Sequence, residues 1–169
     1  MAVGQGIPIR IEENPLEKMM QKFGTPPHGR FLVYHGTNTL FEQFSLDYGA
    51  RPGMSGNGHL GVWLAVDRDL AERFGSHCLQ VAIEVGCAYR MPLRELADMN
   101  RACYAYGEHE PSSSEFRENE RKFYTAYREK LINAGYDAIY LVESDDRVEM
   151  VIGLVPERLL IQTRFPHAA

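Results

Sequence analysis

The chain has 169 residues, 44% of them hydrophobic and 24% charged, with a formal net charge of -5. That length supports one domain with its own hydrophobic core, and the composition excludes a disordered, collagen-like or coiled-coil chain. The negative balance supplies no global field for a nucleic-acid backbone, which leaves a polynucleotide partner only a local basic patch to bind.

In chain order, residues 1–29 mix Gly, Pro and charge around one weakly helical piece, Leu16 to Phe23, and read as an arm. A single domain is expected over residues 30–165. Phe31 to His35 is β-branched and aromatic and runs into Gly36-Thr37-Asn38, which predicts a buried strand ending in a turn. Phe41 to Leu46 is a short apolar segment, and the glycine-rich stretch Tyr48 to His59 reads as a surface loop. Leu60 to Ala65 is the next strand. Asp67 can cap a helix that carries Leu70, Ala71 and Phe74 on one face and stops at Gly75.

Leu79 to Val85 reads as a strand, Met91 to Tyr104 as a helix with Leu93, Leu96 and Ala97 aligned, and Gly107 to Ser114 as a loop. A longer helix is predicted from Glu115 to Ala134, facing inward through Phe116, Phe123, Ala126, Tyr127 and Leu131. Strands follow at Ala138 to Val142 and Val148 to Leu154, around the acidic turn Glu143 to Asp146, with an edge strand at Leu159 to Thr163. Irregular alternation with short, polar connections argues for an α+β fold over a doubly wound parallel sheet.

Cys78, Cys87 and Cys103 form no C-x-x-C pair, and their odd number fits reduced, buried thiols in a reducing compartment better than a disulfide framework. No window approaches the length of a membrane span, and no basic stretch leads into an apolar run near Met1. A cytoplasmic location, or delivery into a target cell's cytoplasm, and no membrane partner are therefore expected. The motifs of serine hydrolases, phosphate-loop proteins and zinc proteases are absent from the sequence. His59 and His77 lack a partner at ligand spacing, so no metal is expected.

Three features carry potential chemistry. His35 ends an apolar strand next to Gly36 and Thr37: an imidazole there can hold a hydroxyl while glycine exposes backbone groups, or the pair can be a plain strand end. Trp63 and Phe74, eleven positions apart, can sandwich a flat cationic ring or simply pack in the core. Glu149 lies in Arg147-Val148-Glu149-Met150-Val151-Ile152 and faces either solvent or a cleft, where desolvation must be offset by a partner. Period-two alternation does not decide between them.

Taken in order, Val33-Tyr34-His35-Gly36-Thr37, Gly61-Val62-Trp63-Leu64-Ala65 with Ala71 and Phe74, and Glu149-Met150-Val151-Ile152 resemble the ADP-ribosyltransferase superfamily. The similar branch is the histidine-aromatic-glutamate one that includes diphtheria-type toxins, poly(ADP-ribose) polymerases and small phage and bacterial transferases. The resemblance covers roughly Phe31 to Ile161, with Ala88 to Lys130 unmatched. It implies a split β-sheet core with flanking helices and NAD+ as a substrate, without a metal. His35 would act in catalysis by holding a ribose hydroxyl, and the Gly36 backbone would bind the nicotinamide amide beside Thr37. Trp63 and Phe74 would clamp the nicotinamide ring, and Glu149 would be the catalytic carboxylate.

Two positions depart from the pattern. Trp63 replaces the usual tyrosine, keeping a stacking face but losing the phenol hydroxyl. Arg147 stands two places before the glutamate, where arginine-directed transferases carry an acidic residue or glutamine. The expectation is a mono-ADP-ribosyltransferase that modifies a macromolecule and releases nicotinamide, with a host protein favoured as acceptor over nucleic acid. The alternatives are an NAD+ glycohydrolase toxin and a binding module that keeps the fold without the chemistry. The small stand-alone members of the family make a bacterial or phage effector role the context for either enzyme.

Overall fold

The computed structural model describes residues 28–46, 56–106 and 114–166. The expected helix at Leu16 to Phe23 and most of the two expected loops, at 48–59 and 107–114, lie outside these residues. The described residues form one seven-stranded mixed sheet with helices, an α+β fold. The strands are β1 (Gly29–Thr37), β2 (Val62–Ala65), β3 (His77–Val85), β4 (Ala88–Pro92), β5 (Ala138–Val142), β6 (Val148–Gly153) and β7 (Leu159–Pro166). Their order across the sheet is β4-β5-β6-β2-β1-β3-β7, with β4 parallel to β5 and every other neighbour antiparallel.

The helices are α1 (Arg68–Ala71), which continues as a 3-10 turn through Phe74, α2 (Leu93–Tyr106) and α3 (Ser114–Asn133). No helix among the described residues is long and apolar enough to cross a membrane. Alternation along the strands splits the core between the two faces of the sheet. One face buries Phe31, Val33, Val62, Leu64, Val81, Tyr140 and Val151, closed by Phe41, Phe44 and Leu46 from the segment after β1. The other buries Met91, Met99, Tyr124, Leu131, Ile139 and Ile152 under α2 and α3, and Ala65, Ala71 and Cys78 under α1.

The sheet is strongly curled. Strands β1 and β5 are three positions apart, which would separate them by about 14 Å in a flat sheet, yet the rings of Phe31 and Tyr140 lie 6.5 Å apart. The first core therefore fills the concave side.

Several expectations change. Met91 belongs to β4, not to a helix: Ala88–Pro92 is a short edge strand whose Arg90 and Pro92 are exposed, so it shows no apolar run. Helix α2 starts at Leu93, itself exposed. In α3 the side chain of Ala126 is exposed and Tyr124 is buried, donating its hydroxyl to Asn100 Oδ1 at 2.6 Å. Leu60 closes a 3-10 turn, Gly56–Leu60, before β2. Phe74 does not join Ala71 in the core; its side chain stands in solvent. Cys78 and Cys103 are buried, whereas Cys87, in the turn between β3 and β4, is exposed.

Candidate functional site

The residues singled out in the sequence sit on three neighbouring central strands, β1, β2 and β6, and on the helical turn that follows β2. Strand β1 pairs with β3 through nine consecutive positions, Gly29↔Val85 to Thr37↔His77. On its other edge it meets β2 at Tyr34↔Ala65 alone. Beyond that bridge the two strands part.

The orientation of the backbone around the gap follows from the next ladder. Val66 N–H donates to Glu149 C=O at 2.9 Å, so Val66 turns its peptide groups to β6. Successive residues of a strand turn to opposite edges, so Ala65 and Trp63 turn theirs to β1. Tyr34 meets Ala65, and two residues on, Gly36 would meet Trp63. That pair is not formed. The Trp63 carbonyl instead accepts a hydrogen bond from His35 Nδ1 at 2.8 Å, which leaves the Gly36 peptide groups turned toward the gap with no ladder partner on β2.

A carbonyl can only accept, so His35 carries its neutral-state proton on Nδ1 and presents Nε2 as a lone pair. The sequence suggested an imidazole able to donate to a hydroxyl; in this tautomer it accepts from one. The ring is walled edge-on by Phe44, 5.1 Å between centroids, and Phe41, 6.0 Å. Desolvation by these neighbours lowers the His35 pKa below 6.5, against a smaller opposing effect of the bond to Trp63. The imidazole is therefore neutral at pH 7. The segment carrying both phenylalanines is tied to β7, where Arg164 donates to the Phe41 carbonyl and pairs with Glu42.

Gly36 has a packing role as well. A Cβ there would lie 1.9 Å from the Ala71 carbonyl oxygen and 3.0 Å from Phe74 Cβ, and a Cβ on Gly75 would lie 2.3 Å from the Thr37 carbonyl carbon. These two glycines let the end of the α1 turn press flat on the end of β1, and Phe74 is thereby fixed beside Gly36. Asp67 caps α1 as its position suggested, accepting from Asp69 N–H at 2.9 Å.

The core-packing alternative now separates the two aromatic rings. Trp63 is half-buried against the second core and donates Nε1–H to the Asn57 carbonyl at 3.1 Å, so one side of its indole is structural. Phe74 is 59% exposed and contributes little to any core. Thr37 is occupied in its own turn: its hydroxyl lies 2.9 Å from the Thr39 carbonyl and accepts Thr39 N–H at 3.1 Å.

Glu149 occupies a β-bulge. Leu141 pairs with Met150 and Val142 with Val148, so Glu149 has no partner on β5, and a bulge redirects the side chain it carries. Its side chain is 41% exposed, and its carboxylate forms an ion pair with Arg147 at 3.2 Å. Glu149 lies level with Val66, two strands and two residue levels from His35. Standard strand spacings put their Cα atoms about 12 Å apart.

The structure thus bonds the His35 ring to the Trp63 backbone carbonyl, with the indole packed on the other face of the sheet, places Phe74 beside Gly36, and carries Glu149 two strands away. Asn57, Phe41, Phe44 and Asp145 also take part; the sequence placed them in a loop, a short apolar segment and an acidic turn without indicating these contacts. Their roles come from a backbone carbonyl, two ring edges and a turn.

No family model matches this chain, and no curated protein matches it. Among solved structures, one described as a crystal structure of an anti-CRISPR protein is similar at 10% identity and a TM-score of 0.44, over 83% of this chain and 100% of that one. That likeness is too remote to carry an argument.

Proposed function

We propose that the gap between β1 and β2 binds the nicotinamide end of NAD+ and that the protein is a mono-ADP-ribosyltransferase. The observation that carries this reading is the unformed Gly36–Trp63 pair, in which a side chain of β1 takes the carbonyl its own backbone would have used. A strand edge with no ladder partner at Gly36 suits a primary carboxamide, which offers one acceptor and two donors in a plane. Phe74, exposed beside that edge, and Trp63 across the gap supply flat faces for a cationic pyridinium ring.

In this reading the bond between nicotinamide nitrogen and ribose C1′ breaks with its electron pair leaving on the nitrogen, so neutral nicotinamide departs and positive charge develops on the sugar. The Glu149 carboxylate stabilises that charge and accepts the ribose 2′-hydroxyl. His35 Nε2 accepts a second hydroxyl and fixes the sugar's orientation. An acceptor nucleophile then bonds to C1′ and releases its proton to solvent. Loss of the pyridinium charge weakens the stacking that held the ring, which favours product release.

The test is incubation with labelled NAD+ and a cell extract, comparing wild type with Glu149→Gln. Nicotinamide release is expected to fall by about 100- to 1,000-fold; equal release by the two forms removes Glu149 from the reaction. Label on protein or nucleic acid identifies a transferase and its acceptor, whereas free ADP-ribose alone identifies a glycohydrolase.

A further inference from the structure

Arg147 forms ion pairs on both sides. Its Nε lies 2.5 Å from Asp145 Oδ2, its backbone N–H donates to Asp145 Oδ1 at 3.3 Å, and its Nη1 lies 3.2 Å from Glu149 Oε1. Asp145 is itself set by the β5–β6 turn, closed by Glu143 N–H on the Arg147 carbonyl at 2.8 Å and Asp146 N–H on the Glu143 carbonyl at 3.0 Å. A rigid turn, an acid, a guanidinium and the bulged carboxylate form one chain of contacts.

All three side chains are roughly half exposed, so the network adds little to stability. Its consequence is orientation. Glu149 has three rotatable bonds and projects from a bulge with no ladder partner on β5, and an anchored guanidinium narrows where its carboxylate goes.

We infer that Arg147 is a positioning residue for the Glu149 carboxylate, held in place by Asp145. This rests on the NAD+ reading above. A cation beside the carboxylate also weakens the field felt by a developing positive charge. At this exposure water screens the guanidinium strongly, so placement outweighs the lost field. The guanidinium lies against Oε1, which leaves the carboxylate further acceptor sites for a hydroxyl.

The experiment is steady-state nicotinamide release by the purified protein and its Arg147→Ala, Arg147→Lys, Asp145→Asn and Glu149→Gln variants, with NAD+ binding by calorimetry and each variant's melting temperature. Arg147→Ala is expected to lower kcat by about 10- to 100-fold with KM nearly unchanged. Arg147→Lys should recover part of the loss, Asp145→Asn should fall between, and melting temperatures should stay level. An unchanged or faster Arg147→Ala, or a loss confined to KM, overturns the positioning role while leaving the NAD+ reading intact. A wild type that neither binds NAD+ nor releases nicotinamide removes both.

Discussion

The two edges of β1 differ sharply. Toward β3 every position from Gly29 to Thr37 has a partner; toward β2 a single bridge at Tyr34 holds, and the strands then separate. Both edges belong to one strand of one sheet, so the difference is not a matter of strand propensity. The His35 bond to the Trp63 carbonyl and the α1 turn packed on Gly36 both lie where the pairing with β2 ends. Backbone pairing is continuous on one edge and stops after Tyr34 on the other. The larger effect on folding should come from the first and the larger effect on ligand binding from the second.

Leu79 stands opposite His35 on the paired edge and is fully buried. Leu79→Ala should destabilise the fold by about 2–5 kcal/mol, the cost of removing a core side chain and leaving a cavity. Urea denaturation reads this directly, and a loss under about 1 kcal/mol would mean that the β1–β3 edge is not the stable half.

Phe74 is the counterpart on the open edge. Because its ring is exposed, Phe74→Ala should change stability by no more than about 0.5 kcal/mol. A lost stacking contact should weaken NAD+ binding by about 0.5–2 kcal/mol, roughly 2- to 30-fold in Kd. Calorimetry alongside the urea curve separates the two. A stability loss without an affinity loss would make Phe74 a packing residue and leave the gap without one of its walls.

What sequence could reveal divides along the same line. The strands carrying His35, Trp63 and Glu149 were legible, because apolar β-branched runs bounded by turns are local signals; the end of the first was not, since β1 runs on through Gly36 and Thr37, which the sequence read as a turn. That their three strands are neighbours is a matter of pairing between distant segments, which periodicity does not encode. Phe74 was expected inward on helical spacing, but α1 tightens into a 3-10 turn after Ala71 and rotates the ring away from the core. Alternation around Glu149 was uninformative for a physical reason: the bulge inserts a residue and breaks the period. Strand β4 escaped because an edge strand with Arg90 and Pro92 has no reason to look apolar. The broken Gly36–Trp63 pair had no sequence signal either, since it depends on a side chain replacing a backbone donor.

His35 gives the smallest expected effect and bears on why the gap stays open. Its folded-state pKa is lowered below 6.5 by desolvation, so in the acid range the unfolded chain binds a proton that the folded chain does not. Stability from this source is present above pH 6.5 and is lost as pH falls from there through the folded pKa, with a slope of at most about 1.4 kcal/mol per pH unit. His59 is lowered as well, by burial and then by the charge of Arg121, and contributes in the same window with the same sign. The two separate by substitution: His35→Asn should flatten the wild-type decline of urea stability between pH 6.5 and 5, leaving the share that His59→Asn removes. His35→Asn also withdraws the ring that occupies the Trp63 carbonyl. If the carbonyl then takes Gly36 N–H, the β1–β2 ladder lengthens, amide hydrogen exchange at Gly36 slows, and NAD+ affinity falls although the fold is no less stable. Unchanged exchange at Gly36 together with unchanged NAD+ binding would show that the imidazole is not what holds the strands apart.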